Sequence, residues 1–241
     1  GPDIIFFWVA RMIMAGYAFH DEKPFEDVYY TGMVRDAQRR KMSKSLGNSP
    51  DPLELIENYG ADGTRVGMLF ASPAGNDLLF DEGLCEQGRN FSNKIWNAFR
   101  FLALNMNEEE TYMPRTDIDP ENLAHRWIMG RVRTVVAGMD DDFSKYRLNE
   151  ALKKIYSLIW DDFCDWFIEI SKADQPGESI PKENLERALG FFELLMKMLH
   201  PFMPFITEEI WQRISERKPE EALTISDWPE SEGDMFDESV E

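Results

Sequence analysis

The sequence predicts a mainly α protein: a leading stretch with a short strand and helices, followed by an antiparallel helical bundle. Apolar residues recur at three- and four-residue spacing over long segments from Asp81 onward. Capping residues, prolines and glycines punctuate the chain at helix-length intervals. Strand-like patterning is confined to one short run, Val28-Tyr29-Tyr30-Thr31. With 43% hydrophobic and 13% aromatic residues among 241, the chain can bury a substantial core. Its length suits one large domain or two smaller ones.

Ile4 to Tyr17 reads as a helix, apolar nearly all round, which expects partners on most sides. Its apolar opening, Ile4 to Val9, is too short to span a bilayer, and Arg11 is expected to end it. The basic lead-in and cleavage site of a signal peptide are lacking. Val28–Thr31 is expected to feed the loop that follows as a strand. Asp51-Pro52-Leu53-Glu54 opens a helix with an Asp cap, Pro at the first position and Glu three after the cap. Gly60 closes it, and Asp62 to Ala71 forms another despite Gly63 and Gly67. Asp81 caps a long helix to about Met106, with Leu84, Phe91, Ile95, Ala98 and Leu102 at helical spacing. A polar, proline-bearing linker, Asn107 to Pro120, leads to a second long helix, Glu121 to about Asp141. A third runs from Arg147 to about Lys172, and Asp174 to Pro181 is a turn-rich break. Glu183 to Leu199 is stopped by His200-Pro201, and Phe205 to Glu216 is the last. Long amphipathic helices with short connections describe an antiparallel bundle. The expected division is 1–80, 81–216 and a weakly ordered tail, 217–241. In that tail only Arg217 and Lys218 oppose the carboxylates, and Trp228-Pro229 is placed to pin it.

The net charge is −19, which argues against a generally basic nucleic-acid-binding surface. A local basic stripe survives in such a protein, because screening confines charges to about 8 Å at physiological salt. One island stands out: Lys41-Met42-Ser43-Lys44-Ser45, then Leu46-Gly47-Asn48, with Arg35, Arg39 and Arg40 upstream. Alternating cations and hydroxyls closed by a glycine suit a polyphosphate whose charge grows during transfer. The ordinary alternative for such a cluster is a solvated loop. Cys85 and Cys164 are lone thiols without metal-ligand spacing, which suits a reducing cytosol, and no metal site is expected.

Lys41–Ser45 is identical to the KMSKS signature of class I aminoacyl-tRNA synthetases. Around it, Tyr30-Thr31-Gly32-Met33-Val34-Arg35-Asp36, Gly47-Asn48-Ser49-Pro50-Asp51-Pro52-Leu53 and Tyr59-Gly60-Ala61-Asp62-Gly63-Thr64-Arg65 resemble the valine, isoleucine and leucine branch. Asp3-Ile4-Ile5-Phe6-Phe7-Trp8-Val9-Ala10-Arg11-Met12 and Arg89-Asn90-Phe91-Ser92-Asn93-Lys94-Ile95-Trp96-Asn97-Ala98 resemble the valyl-tRNA synthetase family. The resemblance covers essentially the whole chain and is weakest after about Asp174. The family's HIGH signature has no counterpart around His20, His125 or His200. The expectation is therefore a C-terminal portion: a remnant of the nucleotide-binding catalytic domain, then the anticodon-binding domain.

The resemblance implies a role for each candidate residue. Lys41 and Lys44 would be catalytic, drawing charge on the β- and γ-phosphates of ATP, with Ser43 and Ser45 as hydroxyl donors and Gly47 as hinge. Met33 and Val34 would present backbone groups to the adenine. Asp3 and Trp8 would line the adenylate and amino-acid pocket, against the plainer reading of a helix cap and a core tryptophan. ATP with Mg2+, valine and valine tRNA would be substrates and partners of a cytoplasmic monomer. No tightly bound cofactor and no membrane are implied, although the leading helix could drive artificial association. Lys94, Asn97, Arg100 and Phe101 are read as one basic, aromatic face suited to unstacked bases. Trp96 is assigned to the core, and Phe101 equally to core or surface. Arg126, Arg131 and Arg133 are expected to pair with carboxylates rather than face phosphates, and Asp161, Asp162 and Asp165 to do no acid–base chemistry. An isoleucyl-tRNA synthetase portion, a standalone tRNA-binding helical module and an acidic interaction protein remain alternatives.

Overall fold

The computed structural model describes residues 1–72, 76–107, 109–172 and 179–230. Its leading helical segment runs from Pro2 to His20, π-wound over Ile5–Val9 and regular over α1 (Ala10–His20). The helix expected over Ile4 to Tyr17 is present and runs three residues further, while the apolar run itself extends past Arg11. At 19 residues the segment is long and apolar enough, by length and composition, to cross a membrane. Arg11 near its middle would cost about 2.5–3.5 kcal/mol at a bilayer centre. Its apolar side chains lie open: Phe6 is 81% and Phe19 83% exposed.

The strand falls later than its propensity indicates. β1 (Val34–Arg35) pairs in parallel with β2 (Leu78–Leu79), Val34 opposite Leu78. Residues 28–31 have no ladder partner; the Tyr29 ring instead stacks on Tyr146 at 5.7 Å. Strand propensity describes side chains that fit a sheet, and it yields where no neighbouring strand is within reach.

The helical starts follow their caps. Asp51 accepts the Leu53 N–H at 2.9 Å to open α2 (Pro52–Tyr59), and Asp81 accepts that of Gly83 at 2.9 Å to open α4 (Glu82–Leu104). Between them lies α3 (Ala61–Phe70). Asn122, not Glu121, starts α5 (Leu123–Ser144), accepting from the His125 N–H at 3.2 Å. The third long helix is α6 (Leu148–Ser157), a π-wound stretch Leu158–Phe167 and α7 (Ile168–Ile170) end to end. Most of the break expected at Asp174–Pro181 lies outside the described residues. α8 (Lys182–Leu199) and α9 (Pro204–Ile214) complete the bundle.

The core joins all the long helices. Phe91, Ile95 and Leu102 of α4 meet Ile128 and Met139 of α5, Leu152 and Ile155 of α6, and Phe191 and Phe192 of α8. Phe163 stacks on Phe192 at 5.3 Å. The acidic segment after Glu216 stays largely exposed over its described part but is anchored to the bundle at several points. Arg217 pairs with Glu193 and covers the Trp211 ring at 3.6 Å. The Trp211 indole donates to the Glu221 carbonyl at 2.9 Å, Leu223 is buried, and the Trp228 indole donates to Asp140 at 3.0 Å. Trp211 and Trp228 thus fasten a segment whose carboxylates still face solvent. Residues 231–241 lie outside the description.

α3 packs on α4 with almost no side chain between them. A Cβ on Gly67 would lie 2.6 Å from the Cys85 amide nitrogen, and one on Gly63 2.9 Å from that of Arg89. The two ends of α3 are tied to other elements by bonds between side chains and backbone. Asp62 accepts the N–H groups of Phe205 and Ile206, Arg65 donates to the carbonyls of Pro201 and Phe202, and Asn149 donates to those of Leu69 and Phe70.

This packing predicts opposite outcomes for two glycine-to-alanine changes. Gly67→Ala should destabilise by about 1–3 kcal/mol through overpacking. Gly130→Ala, inside α5 with nothing within 4 Å of its Cβ position, should stabilise by roughly 0.5–1 kcal/mol. Urea unfolding followed by circular dichroism measures both. Equal midpoints would refute the close approach.

Candidate functional site

β1 delivers the chain into a tight turn built on one carboxylate. Asp36 is buried, and its Oδ1 accepts the N–H groups of Gln38 at 3.1 Å and Arg40 at 2.8 Å. Its Oδ2 accepts from Asn48 Nδ2 at 3.0 Å and Arg40 Nε at 2.8 Å. The hydrogen bond from Asn48, then those from Arg40, hold its pKa down at about 2. The turn needs a left-handed residue, and Arg39 supplies it at φ 63°. Asn48 closes the loop from the other side: its Oδ1 accepts the Ser43 N–H at 2.9 Å, and its Nδ2 also reaches the Lys41 carbonyl at 3.3 Å.

Between these anchors the lysine string forms one short turn. Ser43 caps it, its Oγ accepting the Leu46 N–H at 3.3 Å and lying 3.2 Å from the Ser45 Oγ. Gly47 ends the turn at φ 62°, a conformation that a Cβ would strain.

The basic island is smaller than its residue count. Arg35 pairs with Asp77 and donates to the Arg39 carbonyl, and Arg40 pairs with Asp36. Lys41 Nζ lies 2.8 Å from Asp3 Oδ2, and this contact lowers the Asp3 pKa. Lys44 is exposed, and its side chain has no hydrogen bond or ion pair among the described residues. The structure thus brings Asp3 and Lys41 together and leaves Lys44 open. Met33 is committed elsewhere. Its N–H donates to Asp77 at 3.2 Å and its carbonyl accepts from Leu78, while the Val34 carbonyl accepts from Met42. With three of the four backbone groups of Met33 and Val34 engaged in this way, the expected backbone offer to an adenine narrows to the Val34 N–H. Trp8, 63% exposed on the leading helical segment, is not a core residue.

On α4, Lys94, Asn97 and Phe101 line a shallow pocket of about 220 Å³ with Cys164, Glu169 and Lys172. Arg100 does not join them, because six residues of helix turn it about a third of a turn away from Lys94. Four residues were expected on one face; three share it. Lys94 pairs with Asp165 and lies 4.9 Å over the Trp160 ring. Lys172 pairs with Glu169 at 2.6 Å and lies 5.9 Å from the Phe101 ring centre. Exposed pairs of this kind hold by about 0–1 kcal/mol, so an incoming anion can displace them. Phe101 and Trp96 are both half-buried against the core. Burial pushes the Cys164 thiol up to about 12, which leaves it without nucleophilic character. The Asp161 cluster disperses into structure: Asp161 accepts from Ser157, and Asp162 pairs with Arg131 at 2.8 Å.

The residues that sequence reasoning passed over are the loop's polar frame, the carboxylates of Asp36 and Asp77 and the amide of Asn48. Asp36 and Asn48 flank the lysine string, and an Asx pair bracketing a basic loop was the signal available.

A family model described as tRNA synthetases class I (I, L, M and V) matches residues 1–81. One described as the anticodon-binding domain of tRNA ligase matches residues 125–241. The whole of α4 and the linker after it lie between the two. The chain is 55% identical to a valine–tRNA ligase of Christiangramia forsetii over 239 residues, 99% of this chain and 26% of that protein. It is 56% identical to one of Phocaeicola vulgatus over 225 residues, 93% of this chain and 25% of that protein. The chain therefore spans about a quarter of the length of the curated relatives it matches. Among solved structures, the agnB2 LeuRS of Agrobacterium radiobacter K84, crystallised as a ternary complex with tRNA and LeuAMS, superposes with a TM-score of 0.67 at 23% identity. That match covers 91% of this chain and 26% of the other, and it bears on the fold alone.

Asp36→Ala should release the loop without unfolding the bundle. Trypsin should then cut at Arg39, Arg40, Lys41 or Lys44 several times faster, at an unchanged helical unfolding transition. Because the Asp36 pKa falls from the ordinary 3.8 to about 2, its ordering effect is complete above about pH 4 and fades as pH drops toward 2. Carboxyl-carbon NMR titration should place the midpoint below 3.8. Unchanged cleavage, or an ordinary midpoint, would show that Asp36 does not organise the loop.

Proposed function

Because this chain belongs to the class I tRNA synthetases of the isoleucine, leucine, methionine and valine group, we propose that it supplies the phosphate-facing loop and the anticodon-binding helices of a valine–tRNA ligase. The substrates of that longer protein are valine, ATP with Mg2+, and a valine tRNA, and its compartment is the cytoplasm. The reaction joins the valine carboxylate to the α-phosphate of ATP, releases pyrophosphate, and passes the valyl group to the tRNA.

The observation that carries the reading is Lys44, an open cation of the lysine string on a loop where Arg35, Arg40 and Lys41 are held by carboxylates. Negative charge builds on the β- and γ-oxygens as the bond to the α-phosphate breaks. A cation that needs no release from a partner meets that charge without a reorganisation cost. Lys41 is held by Asp3, so its approach to phosphate requires exchange of one anion for another. Ser43 and Ser45 offer hydroxyls beside it, and Val34 an N–H at the strand end. Asp3 and Trp8 flank the amino-acid side of the site. Mg2+ arrives with ATP and neutralises its phosphates.

The α4 pocket is the candidate anticodon contact. Phe101 provides a ring edge, Asn97 an amide with donor and acceptor, and Lys94 and Lys172 charges released from weak pairs. Arg100 would meet the backbone from the adjoining face. Stacking plus a few cations suits single-stranded bases, and it offsets locally the overall charge of −19.

Two outcomes are expected. In the full-length enzyme carrying this chain, Lys44→Ala should slow valine-dependent ATP–pyrophosphate exchange by roughly 10²–10³, equivalent to ~2.7–4 kcal/mol. The valine Kd should stay nearly constant, and an unchanged exchange rate would sink the role.

With an anticodon stem-loop titrated at several salt concentrations, Phe101→Ala should weaken binding by about 1–3 kcal/mol at constant salt slope. Lys94→Ala should reduce the slope by about 0.7. Binding that neither change affects would remove the pocket from the RNA surface.

A further inference from the structure

α3 touches neither the α4 pocket nor the lysine string, yet it is fastened to the bundle at both ends through backbone groups. At its start, the buried Asp62 carboxylate accepts the N–H groups of Phe205 at 3.3 Å and Ile206 at 2.7 Å. These belong to the first turn of α9, whose own N-cap residue, Met203, makes no side-chain cap. Asp62 is thus the cap of α9, supplied from another helix, and its charge lies at the positive end of that helix. One turn on, Arg65 donates from Nε to the Phe202 carbonyl at 3.1 Å and from Nη2 to that of Pro201 at 3.0 Å. At the other end, the buried Asn149 donates to the Leu69 carbonyl at 2.8 Å and the Phe70 carbonyl at 2.7 Å. Along its length, Gly63 and Gly67 lie against the α4 backbone. Sliding or rotating α3 would strand buried donors and acceptors at both ends and clash in the middle.

The lysine loop hangs from this helix. Gly60 alone separates α2 from α3, and α2 begins four residues after Asn48, the residue that closes the loop. The loop's other attachment, β1 on β2, leads through Asp81 into α4. Both attachments therefore end on the α3–α4 seam.

We propose that Asp62, Arg65 and Asn149 are positioning residues: they make α3 a strut that fixes the distance between the lysine loop and the α4 pocket. An RNA held at the pocket then meets the loop's end of the molecule in one place rather than in a range of places. The RNA part of this inference rests on the function proposed above. The strut itself does not, and the two are tested separately.

The strut is tested on this chain with spin labels on Ser49→Cys, beside the loop, and Gln212→Cys, on α9, in a Cys164→Ala background. Electron–electron double resonance should give one narrow distance. Asp62→Ala, Asn149→Ala and Arg65→Ala should each broaden it, with Asp62→Asn between, while the bundle's helical unfolding transition persists. The Arg65 side chain is exposed, so Arg65→Ala keeps the measurement available where Asn149→Ala does not fold. A distribution as narrow as that of the unchanged chain in Arg65→Ala and Asp62→Asn would overturn the strut.

In the full-length enzyme, valine-dependent pyrophosphate exchange without tRNA should stay within about twofold in these variants. The kcat for tRNA aminoacylation should fall by on the order of tenfold to a hundredfold, the loss expected for misplacement of about 1 Å. The KM for tRNA should move little. A parallel fall of both activities would assign the residues to general stability and overturn the positioning role. Absence of valine-dependent exchange in the unchanged enzyme would defeat the proposed function, and the distance measurement would still decide the strut.

Discussion

Backbone contact between α3 and α4 is the constraint on which the remaining structure depends. Three glycines, Gly63, Gly67 and Gly88, remove the side chains that would otherwise hold two helices 8–10 Å apart. A helix interior loses roughly 0.5–1 kcal/mol for each glycine it carries relative to alanine. Here that loss is offset by a seam so close that Val66 and Cys85 become fully buried beside it. The seam brings the Leu69 and Phe70 carbonyls within reach of Asn149 on α6, and the Asp62 and Arg65 side chains within reach of the backbone at the α8–α9 corner. Without it, Asp62 would be a buried carboxylate with no amides to face.

The lysine loop shows how an acidic protein keeps a cation available. Most of the basic residues there neutralise carboxylates that shape the loop: Arg40 on Asp36, Arg35 on Asp77 and Lys41 on Asp3. Asp36 is the organiser, since a single carboxylate satisfies two backbone amides and two side chains. A loop with all its cations open would repel itself and spread over many conformations. Pairing most of them leaves Lys44 as a side chain on a fixed turn.

The helical face follows a different logic. Lys94 and Lys172 are held by Asp165 and Glu169 at the rim of the pocket, where water weakens each pair. Their positions are set by these carboxylates and by the Trp160 and Phe101 rings, while their charge stays available to a polyanion. The same excess of acid that makes the chain carry −19 thereby orients the cations a nucleic acid would need.

Helix existence, caps and chemistry of the lysine string were legible in the chain because they are local. Asp51, Pro52 and Asp81 act within two or three residues of themselves, and the periodicity of α4 through α9 reports a core whichever partners fill it. The KMSKS string carries its turn in its own serines and glycine. What could not be read depends on partners distant in sequence. Val28–Thr31 has strand propensity, but among the described residues β2 meets Val34 and Arg35 instead. Arg100 was grouped with Lys94 by a spacing that the helix turns away. For the segment after Glu216, the Trp228 anchor was legible, but the contacts of Trp211 with Arg217 and the Glu221 carbonyl were not. Gly63 and Gly67 looked like weaknesses in a short helix, and their purpose exists only where α4 passes. A residue's conformational preferences are set by its own bonds and neighbours, but whether a charge is free, a glycine necessary or an aromatic buried is decided by groups that only folding brings within a few ångströms.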